Sequence, residues 1–152
     1  MASLKREKIL VVQTSFLGDA VLTTPLLSAI RRRFPKAKLA VLCTPQARDL
    51  FAGNPDIDEI LTDDKRGSGG GLSGAWRKAK DLKSRGFTIA VSPHKSFRSA
   101  LLVYLAGIPY RIGFRQSPGW FFYHSRVVRD PTRHDVERNL ALLQPLGIDP
   151  AE

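Results

Sequence analysis

The strongest candidate for chemistry is a carboxylate that follows the first apolar segment of the chain. Residues 9–12 are apolar and rich in β-branched side chains, which predicts a central strand buried on both faces. The polar loop 13–18 follows, and Asp19 then opens a helical pattern. A carboxylate at this position can cap a helix, or it can take a proton from an attacking hydroxyl group; spacing alone leaves both interpretations open.

The loop before Asp19 also suits an anionic ligand. Gly18 leaves space for close backbone approach, and the helix N-terminus beyond it offers unpaired N–H groups to an anion. The loop lacks the G-x-G-x-x-G pattern, so the sequence gives no support for nicotinamide dinucleotide binding.

A second group of polar residues follows a later apolar segment. His94, Lys95 and Arg98 come after the predicted strand 87–91, at the start of a helix. Potentially cationic side chains at a helix N-terminus are unfavourable for the helix, which indicates an anionic ligand; a solvated polar loop is the alternative. Arg115 follows the predicted strand 110–114, so we expect it at the same edge of the sheet.

Strand and helix patterns alternate along the chain with short connections. The predicted strands are 9–12, 38–43, 57–61, 87–91 and 110–114, with a short sixth near 127–128. The predicted helices are 19–33, 45–51, 75–85, 99–106 and 134–146. This order predicts an α/β fold with a doubly wound parallel sheet of the Rossmann-like type, whose ligands bind at the carboxyl ends of the strands.

Three further segments each allow two interpretations. The glycine-rich segment 67–74 predicts a flexible loop, either plain or covering a site. The aromatic residues 120–123 either cap the core or line an edge that faces sugar or lipid. Residues 134–139 form either a surface ion network or a hinge.

Composition narrows the class of protein. The 152 residues are 43% apolar, as in a folded soluble domain, and the net charge of +10 attracts polyanions such as nucleic acid, an anionic membrane or a phosphorylated substrate. The single cysteine, Cys43, sits in an apolar run and predicts a buried thiol, and no Cys/His spacing indicates a metal site. No apolar stretch is long enough for a signal peptide core or a spanning helix, so we expect a cytoplasmic protein.

Several segments together resemble the lipopolysaccharide heptosyltransferase family, glycosyltransferase family 9. The matching segments, in the order of the family, are 8–12 with 14–19, 24–35, 54–55 with 57–60, 96–101, 108–115 and 134–140. Each is weak alone, but the ordered set is fairly specific. The segments 96–115 and 134–140 most resemble the second heptosyltransferase of the pathway.

The resemblance implies the N-terminal half of a GT-B glycosyltransferase that transfers heptose from ADP-heptose to the lipopolysaccharide inner core. The reaction would invert the anomeric centre and need neither a metal nor a cofactor. Residues 1–152 would form a single acceptor-side domain, and the C-terminal domain that binds the nucleotide sugar would be absent. We therefore expect the chain alone to be inactive.

The resemblance also assigns roles to individual residues. Asp19 occupies the position of the catalytic base, and Ser15 and Gly18 would lie near the donor phosphates. The carboxylates and phosphates of the acceptor, an anionic Kdo and heptose lipid A precursor at the cytoplasmic face of the inner membrane, would be held by three side chains: Lys95, Arg98 and Arg115. Two departures stand out, since Phe16 replaces a small polar residue and His94-Lys95 replaces a more neutral pair.

Three alternative functions remain open. One is a nucleic-acid-binding module, although no familiar binding motif is present and we therefore expect no nucleic acid partner. Another is a non-catalytic domain that binds an anionic ligand. The last is a transferase of the same family with a different donor or acceptor.

Overall fold

Six parallel strands form the sheet on which the chain is organised, in a computed structural model that describes residues 7–65, 67 and 70–149. The strands are β1 (Lys8–Gln13), β2 (Lys38–Cys43), β3 (Glu59–Thr62), β4 (Ile89–Ser92), β5 (Tyr110–Phe114) and β6 (Ser125–Val127). Their order in the sheet is β3-β2-β1-β4-β5-β6, and every neighbouring pair is parallel. The predicted α/β fold with a doubly wound parallel sheet is confirmed.

Helices cover both faces of this sheet. They are α1 (Leu17–Arg33), α2 (Arg48–Phe51), α3 (Gly71–Ser84), α4 (Phe97–Leu105) and α5 (Asp135–Ala141), with short 3-10 helices at Pro45–Ala47, Trp120–Phe122 and Gln144–Leu146. Contacts pair α1 with α5 and α3 with α4. The two pairs belong to different apolar clusters on opposite faces of the sheet.

The alternation of side chains along β1 shows why this strand is central. Ile9 and Val11 point into the apolar cluster that contains α1, whereas Leu10 and Val12 point into the cluster that contains α3 and α4. All four are fully buried. Burial of such a side chain contributes about 1.5–3 kcal/mol, so the apolar run favours a strand covered on both faces.

The glycine-rich segment differs from the prediction where it is described. Gly71 to Gly74 form the first turn of α3, so the prediction of a flexible loop is wrong for these residues, while residues 66, 68 and 69 lie outside the described part. Gly74 and the next residue, Ala75, are buried. Burial of this small-residue face on the apolar cluster below offsets the helix-breaking tendency of glycine.

Other boundaries shift by a few residues. α1 begins at Leu17, two residues before Asp19, and the last predicted helix is divided into α5 and the 3-10 helix that contains Pro145, whose ring cannot donate a helical hydrogen bond. The predicted sixth strand exists as β6 but begins earlier. Cys43 is a buried thiol as predicted, and burial raises its pKa to about 11.

The chain reverses its direction of travel across the sheet at β1. From β1 it proceeds to β2 and β3 on one side, and it returns through α3 to β4 on the other side of β1. The connections on either side of β1 therefore diverge and open a crevice at the carboxyl ends of β1 and β4, where ligands bind in sheets of this type. Among the described residues, no helix combines the length and apolar character required to cross a membrane.

Candidate functional site

A cavity of about 170 Å³ opens at the carboxyl ends of β1 and β4. Its lining residues are Gln13, Ser15, Asp19, Leu22, Pro93, His94, Lys95, Arg129, Asp135 and Asn139. The cavity thus brings together four side chains that the sequence analysis singled out beside these strand ends, namely Ser15, Asp19, His94 and Lys95. They meet because the loops after β1 and β4 lie side by side where these two strands end.

Hydrogen bonds hold Asp19 in place through one of its two carboxylate oxygens and its backbone carbonyl. The Ser15 hydroxyl donates a hydrogen bond of 2.6 Å to its Oδ2 atom, and the Thr23 hydroxyl donates to its backbone carbonyl at 2.8 Å. The side-chain amide of Gln13 donates to the same Thr23 hydroxyl at 2.9 Å. Within the described part of the chain Asp19 forms no ion pair, so a partly exposed carboxylate faces the cavity without a fixed cation.

His94 lines the cavity as a neutral ring. Its Nδ1 atom lies 3.0 Å from the Thr14 hydroxyl oxygen and 3.4 Å from that of Ser99. Burial, followed by the charge of Lys65, lowers the pKa of His94 from 6.5 to about 4, against the opposing effect of Asp19. The potentially cationic side chain indicated by the sequence is therefore uncharged at neutral pH, and Lys95 supplies the positive charge of this loop.

Arg129 is a cavity residue that the sequence did not reveal. It follows β6 at the far edge of the sheet, but the chain then returns across the carboxyl ends so that α5 can pack on α1. Arg129 Nη2 lies 3.6 Å from Asp135 Oδ1, and Arg138 pairs with the same carboxylate. Burial and the nearby charge of Arg138 lower the pKa of Arg129, and the charge of Asp19 opposes this.

The segment 134–139 has one feature that was expected from the sequence and one that was not. Asp135 and Arg138 pair as the ion network predicted, and Glu137 pairs with Arg133. Asp135 and Asn139 also line the cavity, which the sequence did not indicate. No local sequence pattern indicates that Asp135 and Asn139 line the cavity, because their position depends on the return of the chain from β6 to pack α5 on α1.

Arg98 lies in a different environment from Lys95. Its Nε and Nη2 atoms donate to the two carboxylate oxygens of Asp63 at 3.0 and 3.1 Å, and Nη1 donates to the Gly71 carbonyl at 3.2 Å. The Asp63 side chain is 1% exposed. The guanidinium group thereby ties α4 to the end of β3 and the start of α3; a role of Arg98 in acceptor binding stays a prediction.

Arg115 and Gly18 are the remaining residues predicted for the site. Arg115 is exposed after β5, and its backbone N–H donates to the Val127 carbonyl. Among the described residues, neither is part of the lining of the cavity beside Asp19. Gly18 is exposed in the first turn of α1, and a Cβ atom at this position would have no neighbour within 4 Å. The described structure therefore has no steric need for glycine at this position.

A second cavity of about 300 Å³ adjoins the first at the ends of β1, β2 and β3. Its lining residues are Thr14, Ser15, Phe16, Leu17, Thr44, Pro45, Gln46, Asp63, Asp64 and Lys65. Ser15 is common to both cavities, so one loop separates two concave regions along the same edge of the sheet. No cluster of His, Cys, Asp or Glu able to hold a metal ion is found among the residues that the structure describes.

Comparison with known proteins identifies the family. The family described as "Glycosyltransferase family 9 (heptosyltransferase)" matches residues 75–151, half of the chain. The chain belongs to glycosyltransferase family 9. The resemblance predicted from the sequence is thereby confirmed.

Individual relatives agree with this assignment. The chain is 31% identical over 144 residues to lipopolysaccharide heptosyltransferase 2 of Escherichia coli K12, covering 93% of this chain and 41% of that protein. It is 28% identical over 137 residues to lipopolysaccharide heptosyltransferase 3 of the same strain, covering 86% of this chain and 40% of that protein. The crystal structure of a family 9 glycosyl transferase from Veillonella parvula superposes with a TM-score of 0.85 at 26% identity, over 96% of this chain and 42% of that one. The chain thus spans about two fifths of the length of these relatives.

Proposed function

We propose that this chain supplies the acceptor-side part of a transferase that moves heptose from ADP-heptose to the inner core of lipopolysaccharide. The observation that carries the proposal is the placement of Asp19, without an ion pair among the described residues, in one cavity with Lys95 and Arg129. The relatives named as lipopolysaccharide heptosyltransferases support this choice of donor and acceptor.

In the proposed reaction, Asp19 acts as the general base. Its carboxylate takes the proton of an acceptor hydroxyl as that oxygen bonds to the anomeric carbon of the heptose, and the bond to ADP breaks with its electron pair leaving on the diphosphate. Attack opposite the leaving group inverts the anomeric centre. The hydrogen bond from Ser15 holds Oδ2, so Oδ1 is the atom we assign to proton transfer.

Two cations of the same cavity are proposed to bind the acceptor. Lys95 and Arg129 face the space beside Asp19, and carboxylates or phosphates of the acceptor would pair with them. Ser15 and Gly18, with the N–H groups at the start of α1, are proposed to contact the donor phosphates. Hydrogen bonds from these groups would stabilise the charge of the departing diphosphate, and we propose a reaction without a metal or cofactor.

Acceptor binding can be tested on the chain itself. A Kdo-containing lipid A precursor titrated against the protein should bind, and Lys95→Gln and Arg129→Gln should each weaken binding roughly tenfold, since charge-assisted hydrogen bonds are worth about 1.5–3 kcal/mol. Arg32→Gln, at an exposed position of α1, is the matched control. Equal affinity in all variants would contradict the assignment of this cavity to the acceptor.

Transfer can be tested by joining the chain to the remaining part of lipopolysaccharide heptosyltransferase 2 of Escherichia coli. We expect this chimera to release ADP from ADP-heptose when the acceptor is present, and we expect no appreciable transfer from the chain alone. A folded chimera that binds both substrates and transfers a different sugar would contradict the donor assignment. Robust transfer by the chain alone would contradict the proposal that it provides only the acceptor side.

A further inference from the structure

Four large aromatic side chains lie exposed together on α4 and the 3-10 helix Trp120–Phe122. Phe97 is 46% exposed, Tyr104 49%, Trp120 45% and Phe121 50%. We call these four residues the aromatic surface. Isolated apolar residues are common on protein surfaces, but a continuous patch of large aromatic rings marks a place of interaction.

Packing fixes the aromatic surface rather than leaving it on a loose loop. The partly buried Phe122 lies beneath it, with its ring centroid 4.5 Å from that of Phe121 and 4.7 Å from that of Tyr104. The turn that carries Trp120 packs closely on α4. A Cβ atom added at Gly119 would lie only 2.4 Å from Ala100 Cβ, so only glycine allows this approach. The backbone that carries these rings is therefore held against α4.

Two guanidinium groups border the aromatic surface. Arg111 lies over the Tyr104 ring at 5.3 Å, and Arg126 lies over the Trp120 ring at 4.8 Å. Backbone carbonyls hold both side chains, since Arg111 Nε donates to Phe122 and Arg126 Nε to Tyr123. Neither arginine has an ion pair within the described residues, and the two charges add to burial in lowering the pKa of His124 between them.

The sequence around the aromatic surface carries charge of one sign. Residues 82–129 contain eight Lys and Arg residues and no Asp or Glu, so most of the net charge of +10 arises in this segment. Two of these cations, Arg111 and Arg126, lie directly beside the exposed rings. This combination matches an anionic bilayer, whose headgroups attract Lys and Arg and whose interface accommodates aromatic rings.

We propose that the aromatic surface, together with Arg111 and Arg126, docks on an anionic lipid bilayer. The inference deepens the proposed function and rests on it for one point only, namely that the acceptor is a lipid. Phe97 begins α4 two residues after Lys95, which lines the cavity beside Asp19, so a docked bilayer would lie next to that cavity. A second copy of the chain fits less well, because pairing this surface with itself would bring the guanidinium groups of both copies into one interface.

The two tryptophans of the chain provide a direct test. Trp76→Phe leaves Trp120 as the only tryptophan, whereas Trp120→Phe leaves Trp76, which is 56% exposed on α3. With vesicles of phosphatidylethanolamine and phosphatidylglycerol, we expect the emission of Trp120 to shift to shorter wavelength and to be quenched by brominated lipid, and that of Trp76 to change far less. Equal quenching of both, or quenching of neither, overturns the assignment.

Vesicle co-sedimentation measures how much each side chain contributes to membrane binding, and Arg126→Gln is compared with the control Arg32→Gln. Trp120→Ser combined with Phe121→Ser should weaken binding at least about tenfold, because each removes a large apolar side chain from the interface. Arg126→Gln should weaken it about fivefold, as expected for one cation near an anionic membrane. Arg32→Gln on the opposite face of the sheet should change it less, and phosphatidylcholine vesicles should bind weakly. An effect of Arg32→Gln as large as that of Arg126→Gln overturns the proposal.

These measurements need neither donor nor acceptor, so their failure is distinguishable from failure of the proposed function. Loss of vesicle binding with intact heptose transfer rejects only the docking surface. Vesicle binding with no transfer rejects only the reaction. A dimer in solution that dissociates in the Trp120→Ser variant, without vesicle binding, assigns the aromatic surface to a second copy and overturns the bilayer.

Discussion

Two aspartates at the same edge of the sheet have opposite environments. Asp63 follows β3, is 1% exposed and accepts hydrogen bonds at both oxygens from Arg98. Asp19 follows β1, is partly exposed and, among the described residues, accepts one side-chain hydrogen bond, from Ser15. A carboxylate whose oxygens are both held by a cation stabilises the fold, whereas one that keeps an oxygen free at a cavity can take part in proton transfer.

The same contrast separates two basic residues that lie three positions apart. Arg98 is engaged by Asp63 and by the Gly71 carbonyl, so its donors are directed into the protein. Lys95 is exposed at the cavity, and among the described residues no ion pair involves it. Of the two, Lys95 is the side chain placed to meet a ligand.

The largest expected effect on stability is at the Arg98 pair. Arg98→Gln leaves the buried carboxylate of Asp63 without its cation, which should lower the free energy of unfolding by about 3–5 kcal/mol. Lys95→Gln is the control and should change it by less than about 0.5 kcal/mol. Urea denaturation measures both. Similar values for the two variants would show that the ion pair of Arg98 with Asp63 does not stabilise the fold more than the exposed Lys95 does.

The next largest expected effect on stability concerns the neutral His94, which lines the cavity beside Asp19. Its pKa is about 4 in the folded chain and 6.5 as a free side chain, so the unfolded chain binds the proton more readily between these values. Stability is therefore fully present above pH 6.5 and falls as the pH drops toward 4, by about 2–3 kcal/mol from this group.

Denaturation of the native chain and of His94→Gln across this pH range isolates the contribution of His94, because all other groups titrate in both proteins. We expect the native chain to lose more stability on acidification than the variant. Parallel loss in the two proteins would show that His94 is not buried as a neutral ring.

Two glycines extend the comparison from charged groups to packing. A Cβ atom at Gly113 would lie 2.2 Å from a ring carbon of the buried Tyr123, so Gly113→Ala should cost about 1–3 kcal/mol of unfolding free energy. Gly18→Ala meets no such neighbour and should stabilise α1 by up to about 1 kcal/mol.

Thermal unfolding measures the opposite stability changes expected for the two glycine variants. The transfer assay of the chimera measures whether Gly18→Ala also changes activity. If Gly18 leaves room for the donor phosphates, Gly18→Ala should reduce transfer while the fold is stabilised. Unchanged transfer would show that the backbone at this position is not approached by the donor, and a stable Gly113→Ala would show that Tyr123 can move away.

The sequence predicted the fold because its signals are local. Apolar runs alternate with helical patterns, which predicts a parallel sheet. Because the carboxyl ends of parallel strands lie at one edge, Ser15, Asp19 and Lys95 were expected close together, and they line one cavity. Arg129 was missed because its position depends on the return of the chain from β6 to α1, which no local pattern encodes. The partner of Arg98 was missed for a related reason, since Asp63 lies 35 residues away in the chain.

The aromatic residues 120–123 show how neighbours can differ. Tyr123 is buried against Gly113, as expected of a residue that caps the core, whereas Trp120 and Phe121 are exposed. The sequence left both interpretations open: capping of the core is confirmed for Tyr123, whereas an edge that faces sugar or lipid stays a prediction for the exposed residues. The division follows from the gap that Gly113 leaves in β5, which admits one ring.

The central claim is that Asp19, which forms no ion pair among the described residues, acts as the base. In the transfer-competent chimera we predict that Asp19→Asn lowers kcat at least about a hundredfold, the usual worth of general base catalysis, with the free energy of unfolding unchanged. Asp49→Asn, an exposed carboxylate in the first turn of α2, should leave kcat unchanged. A loss of only a few fold for Asp19→Asn, or an equal loss for Asp49→Asn, would contradict the account.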